Sequence, residues 1–304
     1  MSNAYQPRKR RWGIWLVVLV ALVVVGSVLT RLPGSGPDMP EVAPGPGSTA
    51  TQPPGSSAQP PATSVKPAGC PDVQVVFVPG TYETNPGANP GAPAGLLAAV
   101  ANPLTARFGG DAGRVSTYFV PYLAQFNNPT PYLASEQDGV RAARAAIAET
   151  TKRCATTKFA LVGFSQGAAV AGDLAAEIGQ GGAVIPPEKL IGVGLVSDPN
   201  RNGAADRLIG PAVAGAGLGG PRPKGFGAVG DRVVTFCAPG DLICATPPSA
   251  TNLANLPATL ALVGQYMQSN VHSSYATYKV EGATSATQWL AGWLAARVEE
   301  VPKG

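Results

Sequence analysis

The hydrophobic residues from Cys70 onward follow two patterns that alternate along the chain. Short runs rich in Val, Leu and Phe have the length of buried β-strands, and the Ala-rich segments between them have the spacing of amphipathic helices. This alternation is typical of a parallel sheet covered by helices. We therefore predict five strands, at Val73–Val78, Val115–Val120, Phe159–Val162, Leu190–Val196 and Val233–Phe236.

The clearest helices are predicted at Ala92–Arg107, Glu136–Arg153, Gln166–Ile178 and Thr284–Val298. Trp289 and Trp293 recur at helical spacing in the last of these, which favours a place in the core over a ligand site. Two long segments, Gln125–Ser135 and Asn200–Gly230, do not follow the alternation. Long loops in a compact domain are usually functional or disordered, so both a lid or pocket rim and a passive role remain open for them.

The N-terminal part of the chain has a different composition. Residues 1–11 end in four basic residues, Arg8 to Arg11, and Trp12–Leu29 follows as an uncharged run rich in Val and Leu. This run is near the short limit for a membrane-spanning helix, and the basic residues before it favour a cytoplasmic N-terminus. We predict a transmembrane anchor over residues 12–30. A cleaved signal peptide is the alternative, since Val25-Gly26-Ser27 loosely resembles a cleavage site.

Residues 31–68 are predicted to form a disordered linker. Ten prolines lie between Pro33 and Pro67, with Gly, Ser and Thr among them and almost no large apolar side chain. Such a segment cannot bury a core, and extended polyproline II at about 3.1 Å per residue gives it a reach on the order of 100 Å. Residues 69–304 are then long enough for a single α/β domain outside the cytoplasm.

Charge and cysteine content limit the partners of this domain. The formal net charge of +4 comes from the N-terminal region, and from residue 68 onward basic and acidic residues are equal in number. A neutral domain without a basic stripe makes nucleic acid an improbable partner.

Four cysteines in an extracytoplasmic chain favour two disulfides. Cys237 and Cys244 are close enough in sequence to form a small loop, which leaves Cys70 to pair with Cys154. A zinc site is disfavoured by the spacing and the single histidine.

Candidate chemistry begins at Gly163-Phe164-Ser165-Gln166-Gly167, where a predicted strand meets a predicted helix. A serine at such a strand, turn and helix junction exposes its hydroxyl above the sheet, and the flanking glycines let strand and helix approach. The backbone N–H of Gln166 lies at the helix N-terminus, where it can stabilise an oxyanion. The motif alone is weak, and a Gly-rich turn with a capping serine is the alternative.

His272 is the only histidine in the chain, so a serine mechanism that uses a histidine base depends on it. It follows Ser165 in sequence, as in a Ser, acid, His order. The acid must then lie between them, and Asp241 and Asp198 compete, with Asp231 just before the last strand. Asp241 is favoured because a Cys237–Cys244 disulfide would restrict its loop, whereas Asp198 can cap a turn with its neighbouring proline.

With these residues the chain resembles the cutinase family of serine esterases from about Cys70 to its C-terminus. The resemblance rests on the Gly-Phe-Ser-Gln-Gly motif, an Asp inside a C-x6-C loop, and a histidine about thirty residues later. It implies an α/β-hydrolase fold with a central parallel five-stranded sheet and a catalytic triad of Ser165, Asp241 and His272. It also implies a second oxyanion donor in the turn after the first strand, which is Gly80-Thr81 here, so that Thr81 joins Gln166.

The anchor and linker make the chain similar to the cutinase-like proteins of mycobacteria and related actinobacteria. That resemblance implies an extracytoplasmic serine hydrolase, of esterase, phospholipase or thioesterase type, that acts on cell-envelope lipids. The serine mechanism implies no metal or organic cofactor, and we expect the catalytic domain to be monomeric. Three other functions remain open: an envelope acyltransferase, a polysaccharide acetyl esterase, and a tethered binding module with an inactive hydrolase fold.

Overall fold

The computed structural model describes residues 66–111, 113–182, 184–251 and 256–304. The predicted anchor, and the predicted linker up to residue 65, lie outside these ranges. Within them, no helix combines the length and the apolar character that a membrane span requires.

A five-stranded parallel sheet forms the centre of the domain, in the order β2-β1-β3-β4-β5. Three of the strands have the predicted bounds, β2 ends one residue earlier than predicted, and β3 extends further at both ends. Each strand pairs in parallel with its neighbour, because helical segments return the chain to the same edge of the sheet. The strands are β1 (Val73–Val78), β2 (Val115–Phe119), β3 (Lys158–Phe164), β4 (Leu190–Val196) and β5 (Val233–Phe236).

Five α-helices and a small antiparallel ribbon complete the described part of the chain. The helices are α1 (Ala98–Phe108), α2 (Tyr132–Arg153), α3 (Gln166–Gly179), α4 (Leu256–Gln268) and α5 (Ala286–Glu299). The ribbon consists of β6 (Lys279–Glu281) and β7 (Thr284–Ser285), and short 3₁₀ helices lie at Pro187–Lys189, Gly227–Arg232, Pro248–Thr251 and Val271–Ala276.

The helices differ from the predictions at their N-termini. Helix α1 begins at Ala98 instead of Ala92, because Gly95 adopts a φ of +58° and residues 88–97 form turns. Helix α2 begins at Tyr132 instead of Glu136, directly after Pro131, so it takes up the last residues of the segment that was expected to be a loop. Helix α5 begins at Ala286 behind a capping box formed by Ser285 and Gln288.

Helices cover the sheet on both faces, which gives a three-layer core. Alternate residues of β1 point to opposite sides: Val75 and Phe77 pack with α1 and α5, and Val76 and Val78 pack with α2 and α3. In α5 the fully buried face consists of Ala286, Leu290, Leu294 and Val298. The two tryptophans predicted to be core are half-buried beside this face and stack on each other with ring centroids 6.3 Å apart.

Two disulfides hold loops at the ends of this core. Cys70 is bonded to Cys154, which ties the start of β1 to the segment before β3, and Cys237 is bonded to Cys244 directly after β5. This is the pairing predicted from the sequence.

Since all five strands are parallel, β1 and β3 end at the same edge of the sheet. The chain order reverses direction between them, and ligands bind at such a point in open α/β sheets.

Candidate active site

Ser165 lies in the sharp turn between β3 and α3. Its φ of +54° is in the left-handed region, which is strained for a residue with a side chain, and its N–H donates to the carbonyl of Val196 at 2.9 Å. A methyl group at Gly163 would collide with the carbonyl of Gly167, and one at Gly167 would collide with the carbonyl of Val78. Both glycines are therefore required by backbone contact, and they leave the half-buried Ser165 at the edge of the sheet.

His272 reaches this serine from the 3₁₀ helix Val271–Ala276. Its Nε2 lies 2.9 Å from the Oγ of Ser165, and its Nδ1 lies 3.1 and 3.2 Å from the two carboxylate oxygens of Asp241. The imidazole packs beside the rings of Phe164 and Tyr266, with centroids 5.1 and 6.4 Å away. The side chain is 30% exposed, so the Nε2 edge is open to a reactant while Nδ1 faces the interior.

Asp241 is fully buried in the loop that the Cys237–Cys244 disulfide closes. Its carboxylate accepts hydrogen bonds from the hydroxyls of Ser197 (2.6 Å) and Tyr275 (2.7 Å) and from the N–H of Ile243 (3.1 Å). Burial on its own would raise the pKa of this carboxyl, but His272 and the hydroxyls of Ser197 and Tyr275 together hold the pKa below its usual value. Asp241 is therefore an anion that faces the imidazole.

The competing acids have other partners. The Asp198 carboxylate pairs with the guanidinium of Arg222 at 2.6 Å and accepts the N–H of Asn200 at 3.0 Å. Asp231 is exposed and lies 3.6 Å from Arg232. Among the three candidates it is therefore Asp241, the residue that the spacing favoured, that the structure brings to His272.

The proposed oxyanion donors lie on either side of Phe164 and Ser165. Gly80 packs directly against the ring and carbonyl of Phe164, which places the Gly80-Thr81 turn beside Ser165. Gln166 is the first residue of α3, so its N–H has no intrahelical acceptor. Within the described ranges, neither this N–H nor that of Thr81 donates to a protein acceptor.

Neighbouring side chains hold both donors in place. The Glu83 carboxylate accepts the N–H groups of Gly80 (2.9 Å) and Leu96 (2.8 Å), which closes the turn after β1. The Gln166 side chain is buried and points away from the serine, because its Nε2 donates to the Gln125 carbonyl at 2.9 Å and its Oε1 accepts the hydroxyl of Ser135 at 3.1 Å. Through Gln125 and Ser135, the segment 125–135 thus contacts the start of α3.

Sequence reasoning missed the hydroxyls that bind Asp241, those of Ser197 and Tyr275. Both carried a weak signal: Ser197 directly follows a predicted strand next to the nucleophile strand, and Tyr275 lies one helical turn after His272. Glu83 carried no signal beyond its place in a loop. The described residues contain no group of three or more His, Cys, Asp or Glu side chains that could hold a metal ion.

A hydroxyl, an imidazole and a buried carboxylate in line are the arrangement of an activated serine nucleophile. His272 can take the Ser165 proton at Nε2 while Asp241 holds Nδ1 protonated. Two free backbone N–H groups nearby can receive the negative charge that develops on a carbonyl oxygen. The site therefore has the chemical groups needed for acyl transfer through a covalent intermediate.

Comparison with known proteins agrees with this geometry. The family model for cutinase matches residues 69–293. The carboxylesterase Culp6 homolog of Corynebacterium glutamicum is 32% identical over 260 residues, which cover 75% of this chain and 81% of that protein. The carboxylesterase Culp1 of Mycobacterium tuberculosis is 29% identical over 212 residues, which cover 69% of this chain and 80% of that protein.

One solved structure supports the fold. The catalytic core domain of acetyl xylan esterase from Trichoderma reesei aligns with 77% of this chain and 100% of its own length, at a TM-score of 0.52 and 20% identity. At this identity the likeness shows a common α/β architecture and carries no information about substrate.

Proposed function

Because this chain belongs to the cutinase family and is a carboxylic ester hydrolase, we propose that it is a membrane-anchored serine esterase that cleaves lipid esters or thioesters outside the cytoplasm. The observation that carries the proposed mechanism is the contact of His272 with both Ser165 and the buried Asp241, at 2.9 and 3.1 Å. A histidine that contacts a strained serine and a buried carboxylate is arranged for nucleophilic catalysis.

In the proposed reaction the Oγ of Ser165 attacks the carbonyl carbon of the substrate as its proton passes to Nε2 of His272. The N–H groups of Thr81 and Gln166 donate to the resulting oxyanion, and Asp241 stabilises the imidazolium. The tetrahedral intermediate collapses when the imidazolium protonates the leaving alcohol or thiol, which leaves an acyl-enzyme. His272 then deprotonates a water molecule that attacks the acyl carbon, and the acid leaves with Ser165 regenerated.

Exposed apolar side chains on segments that adjoin candidate site residues support a lipid substrate. In the described part of the chain, the large hydrophobic residues that are exposed are Tyr82, Leu133 and Leu260. Tyr82 follows the proposed oxyanion residue Thr81, and Leu260 belongs to the helix that leads to His272. Leu133 follows Tyr132, whose carbonyl accepts the Nε2 of Gln166 at 3.5 Å. Apolar groups beside a catalytic site suit long acyl chains. The two disulfides favour an oxidising compartment.

The test is hydrolysis of nitrophenyl esters from acetyl to long acyl chains, with Ser165→Ala and His272→Ala beside the wild-type protein. We expect both variants to lose at least about 10³-fold in kcat/KM, with near-UV circular dichroism unchanged, because each removes one step of proton transfer or attack. The wild-type rate should increase with acyl length. Turnover retained by a folded His272→Ala protein would contradict the mechanism.

Other outcomes separate the competing functions. Activity confined to acetyl esters points to a polysaccharide acetyl esterase, and transfer of the acyl group to an added alcohol in preference to water points to an acyltransferase. A fluorophosphonate probe should label Ser165, since it reacts with activated serines. A wild-type protein that neither hydrolyses an ester nor takes the label is a binding module.

A further inference from the structure

Ser197 lies at the edge of the sheet where the carboxyl ends of β3, β4 and β5 are linked by backbone hydrogen bonds. It directly follows β4, and its N–H donates to the carbonyl of Phe236, the last residue of β5, at 2.8 Å. The preceding residue, Val196, accepts the N–H of Ser165 at 2.9 Å. The backbone of Ser197 is therefore coupled on one side to the nucleophile turn and on the other to the strand that leads to Asp241.

The backbone of Ser197 is strained. Its φ is +52°, in the left-handed region, which costs a residue with a side chain about 1 to 2 kcal/mol and glycine almost nothing. The side chain is nevertheless present and fully buried. Ser165, at the end of the neighbouring strand, has the same sign of φ. A non-glycine residue kept in this conformation at a candidate active site indicates that its side chain has a use.

The hydroxyl of Ser197 contacts both the acid and the base. Its Oγ is 2.6 Å from Oδ2 of Asp241 and 3.1 Å from Nδ1 of His272. An ionised carboxylate only accepts hydrogen bonds, so the single hydroxyl proton of Ser197 is donated to Asp241. A lone pair of the same oxygen is then available to the Nδ1–H of His272. This arrangement favours the imidazole tautomer with its proton on Nδ1, which leaves Nε2 free to accept the proton of Ser165.

The same contact fixes the carboxylate. Oδ2 of Asp241 receives the hydroxyls of Ser197 and Tyr275, while the N–H of Ile243 is bonded to Oδ1. With donors on both oxygens the carboxylate plane cannot rotate away from the imidazole. Of these three donors, Ser197 is the one that also lies within hydrogen-bond distance of His272.

We propose that Ser197 is a positioning residue for the reaction: its hydroxyl bridges Asp241 and His272 and holds the imidazole in the orientation and tautomer that Ser165 requires. This inference rests on the proposed serine mechanism. A merely structural role, in which the hydroxyl satisfies a buried carboxylate, predicts a loss of stability without a specific effect on the histidine.

The deciding variant is Ser197→Gly. It removes a hydrogen bond to the buried carboxylate and also relieves the positive φ, and because these effects oppose each other we expect the free energy of unfolding to stay within about 1 kcal/mol of wild type. We expect kcat to fall about 10- to 100-fold, the range for a misplacement on the order of 1 Å, with KM changed less than about threefold. Ser197→Ala keeps the strain and should show the same loss of kcat with lower stability. Ser274→Ala, in the turn of His272 but bonded to the Val271 carbonyl, is the matched control and should keep the wild-type kcat.

A second measurement reads the histidine directly. His272 is the only histidine, so its downfield Nδ1–H proton resonance is unambiguous in the resting protein. We expect this resonance to shift or broaden in Ser197→Gly and to be unchanged in Ser274→Ala. A Ser197→Gly protein with wild-type kcat, or with an unaltered resonance, would overturn the inference, as would a loss of kcat that only parallels a loss of stability.

The two proposals fail in different ways. If wild type hydrolyses esters and Ser165→Ala does not, the serine mechanism stands whatever Ser197→Gly does. If wild type hydrolyses nothing, the proposed function fails, but the resonance still shows whether Ser197 holds the imidazole.

Discussion

Four ionisable side chains share one partly buried site beside helix α3. The Arg222 guanidinium donates to Asp173 at 2.7 Å and to Asp198 at 2.6 Å. Glu136, on α2, lies close to Asp173. Burial, and then the charge of Asp173, raise the pKa of Glu136 to about 7, and burial raises the pKa of Asp173 as well. The Arg222 guanidinium thus pairs with Asp173 and Asp198, and the third carboxyl, Glu136, has a pKa near neutral pH.

This raised pKa predicts a specific pH dependence of stability. An acid whose pKa is higher in the folded than in the unfolded state binds its proton more tightly when folded, so its contribution is complete below the unfolded value, 4.5, and is lost as the pH rises to about 7. Between pH 5 and pH 8 we therefore expect Glu136→Gln to gain on the order of 2 to 3 kcal/mol relative to wild type. Urea unfolding at the two pH values measures this gain.

Glu149→Gln is the matched control for this experiment. Glu149 lies on the same helix, its side chain is 61% exposed, and its partner is Arg153 one turn later. Its removal should change the stability by no more than about 0.5 kcal/mol at either pH. Equal pH dependence in wild type and Glu136→Gln would show that the carboxyl is not held protonated.

At the residue scale, the candidate triad could be predicted because its residue types are rare or lie in a motif. The hydroxyl groups that bind the triad could not be predicted. His272 has no rival of its kind in the chain, and Ser165 lies in a motif whose glycines have a steric reason. Ser197 is one of many serines, and its hydroxyl meets Asp241 and His272 at separations of 44 and 75 residues. Such a contact depends on how strand ends align in three dimensions, which local sequence does not encode.

At the scale of elements, burial decides which parts were predictable. Strands β1, β4 and β5 have near-continuous apolar runs because both faces of a central sheet are covered, and their predicted bounds match the structure. Helix α4 was missed, although Pro257 at its start and apolar residues at 256, 260, 263 and 267 have helical spacing. With two alanines in 13 residues, this helix lacks the Ala-rich composition that the predicted helices share.

We expect one disulfide to contribute mainly to stability and the other mainly to the position of Asp241. Replacing both cysteines of each pair with alanine should distinguish these two contributions. The Cys70–Cys154 bond spans 84 positions and the Cys237–Cys244 bond spans 7. Chain entropy therefore predicts a loss of about 4 to 5 kcal/mol for the first pair and about 2 to 3 kcal/mol for the second. Activity should follow the opposite order, because the short loop carries Asp241.

Each double variant serves as the control for the other. We expect removal of Cys237–Cys244 to lower kcat/KM about tenfold or more in conditions where the protein is still folded, and removal of Cys70–Cys154 to leave it within about threefold. Guanidinium unfolding and ester hydrolysis measure the two quantities. A larger activity loss from the Cys70–Cys154 pair would mean that the short disulfide does not position the acid.

At the scale of the whole molecule, we propose that the domain and the N-terminal region have separate tasks. From residue 68 onward basic and acidic residues balance, so the domain has no net charge that would draw it to an anionic membrane surface. The membrane attachment that we propose would then depend on the uncharged run Trp12–Leu29, with the proline-rich segment setting the reach. The sheet holds its candidate site at the carboxyl ends of β1 and β3, within the domain, so ester chemistry should not require the anchor.

This division predicts that the full chain and a protein of residues 66–304 hydrolyse a soluble ester at the same rate. The two proteins should differ in their location and in their access to a substrate in a membrane. We expect equal kcat/KM, within about twofold, on a soluble short-chain ester.

The full chain should stay in the membrane fraction at high salt and leave it only with detergent, since an inserted helix is held by apolar burial and not by charge. On a long-chain ester embedded in vesicles that also hold the protein, the full chain should act faster because the tether keeps the site at a raised effective concentration. A mature N-terminus near Val28, found by sequencing the protein from cells, would show that the segment is a cleaved signal peptide and that the enzyme reaches its substrate without a tether.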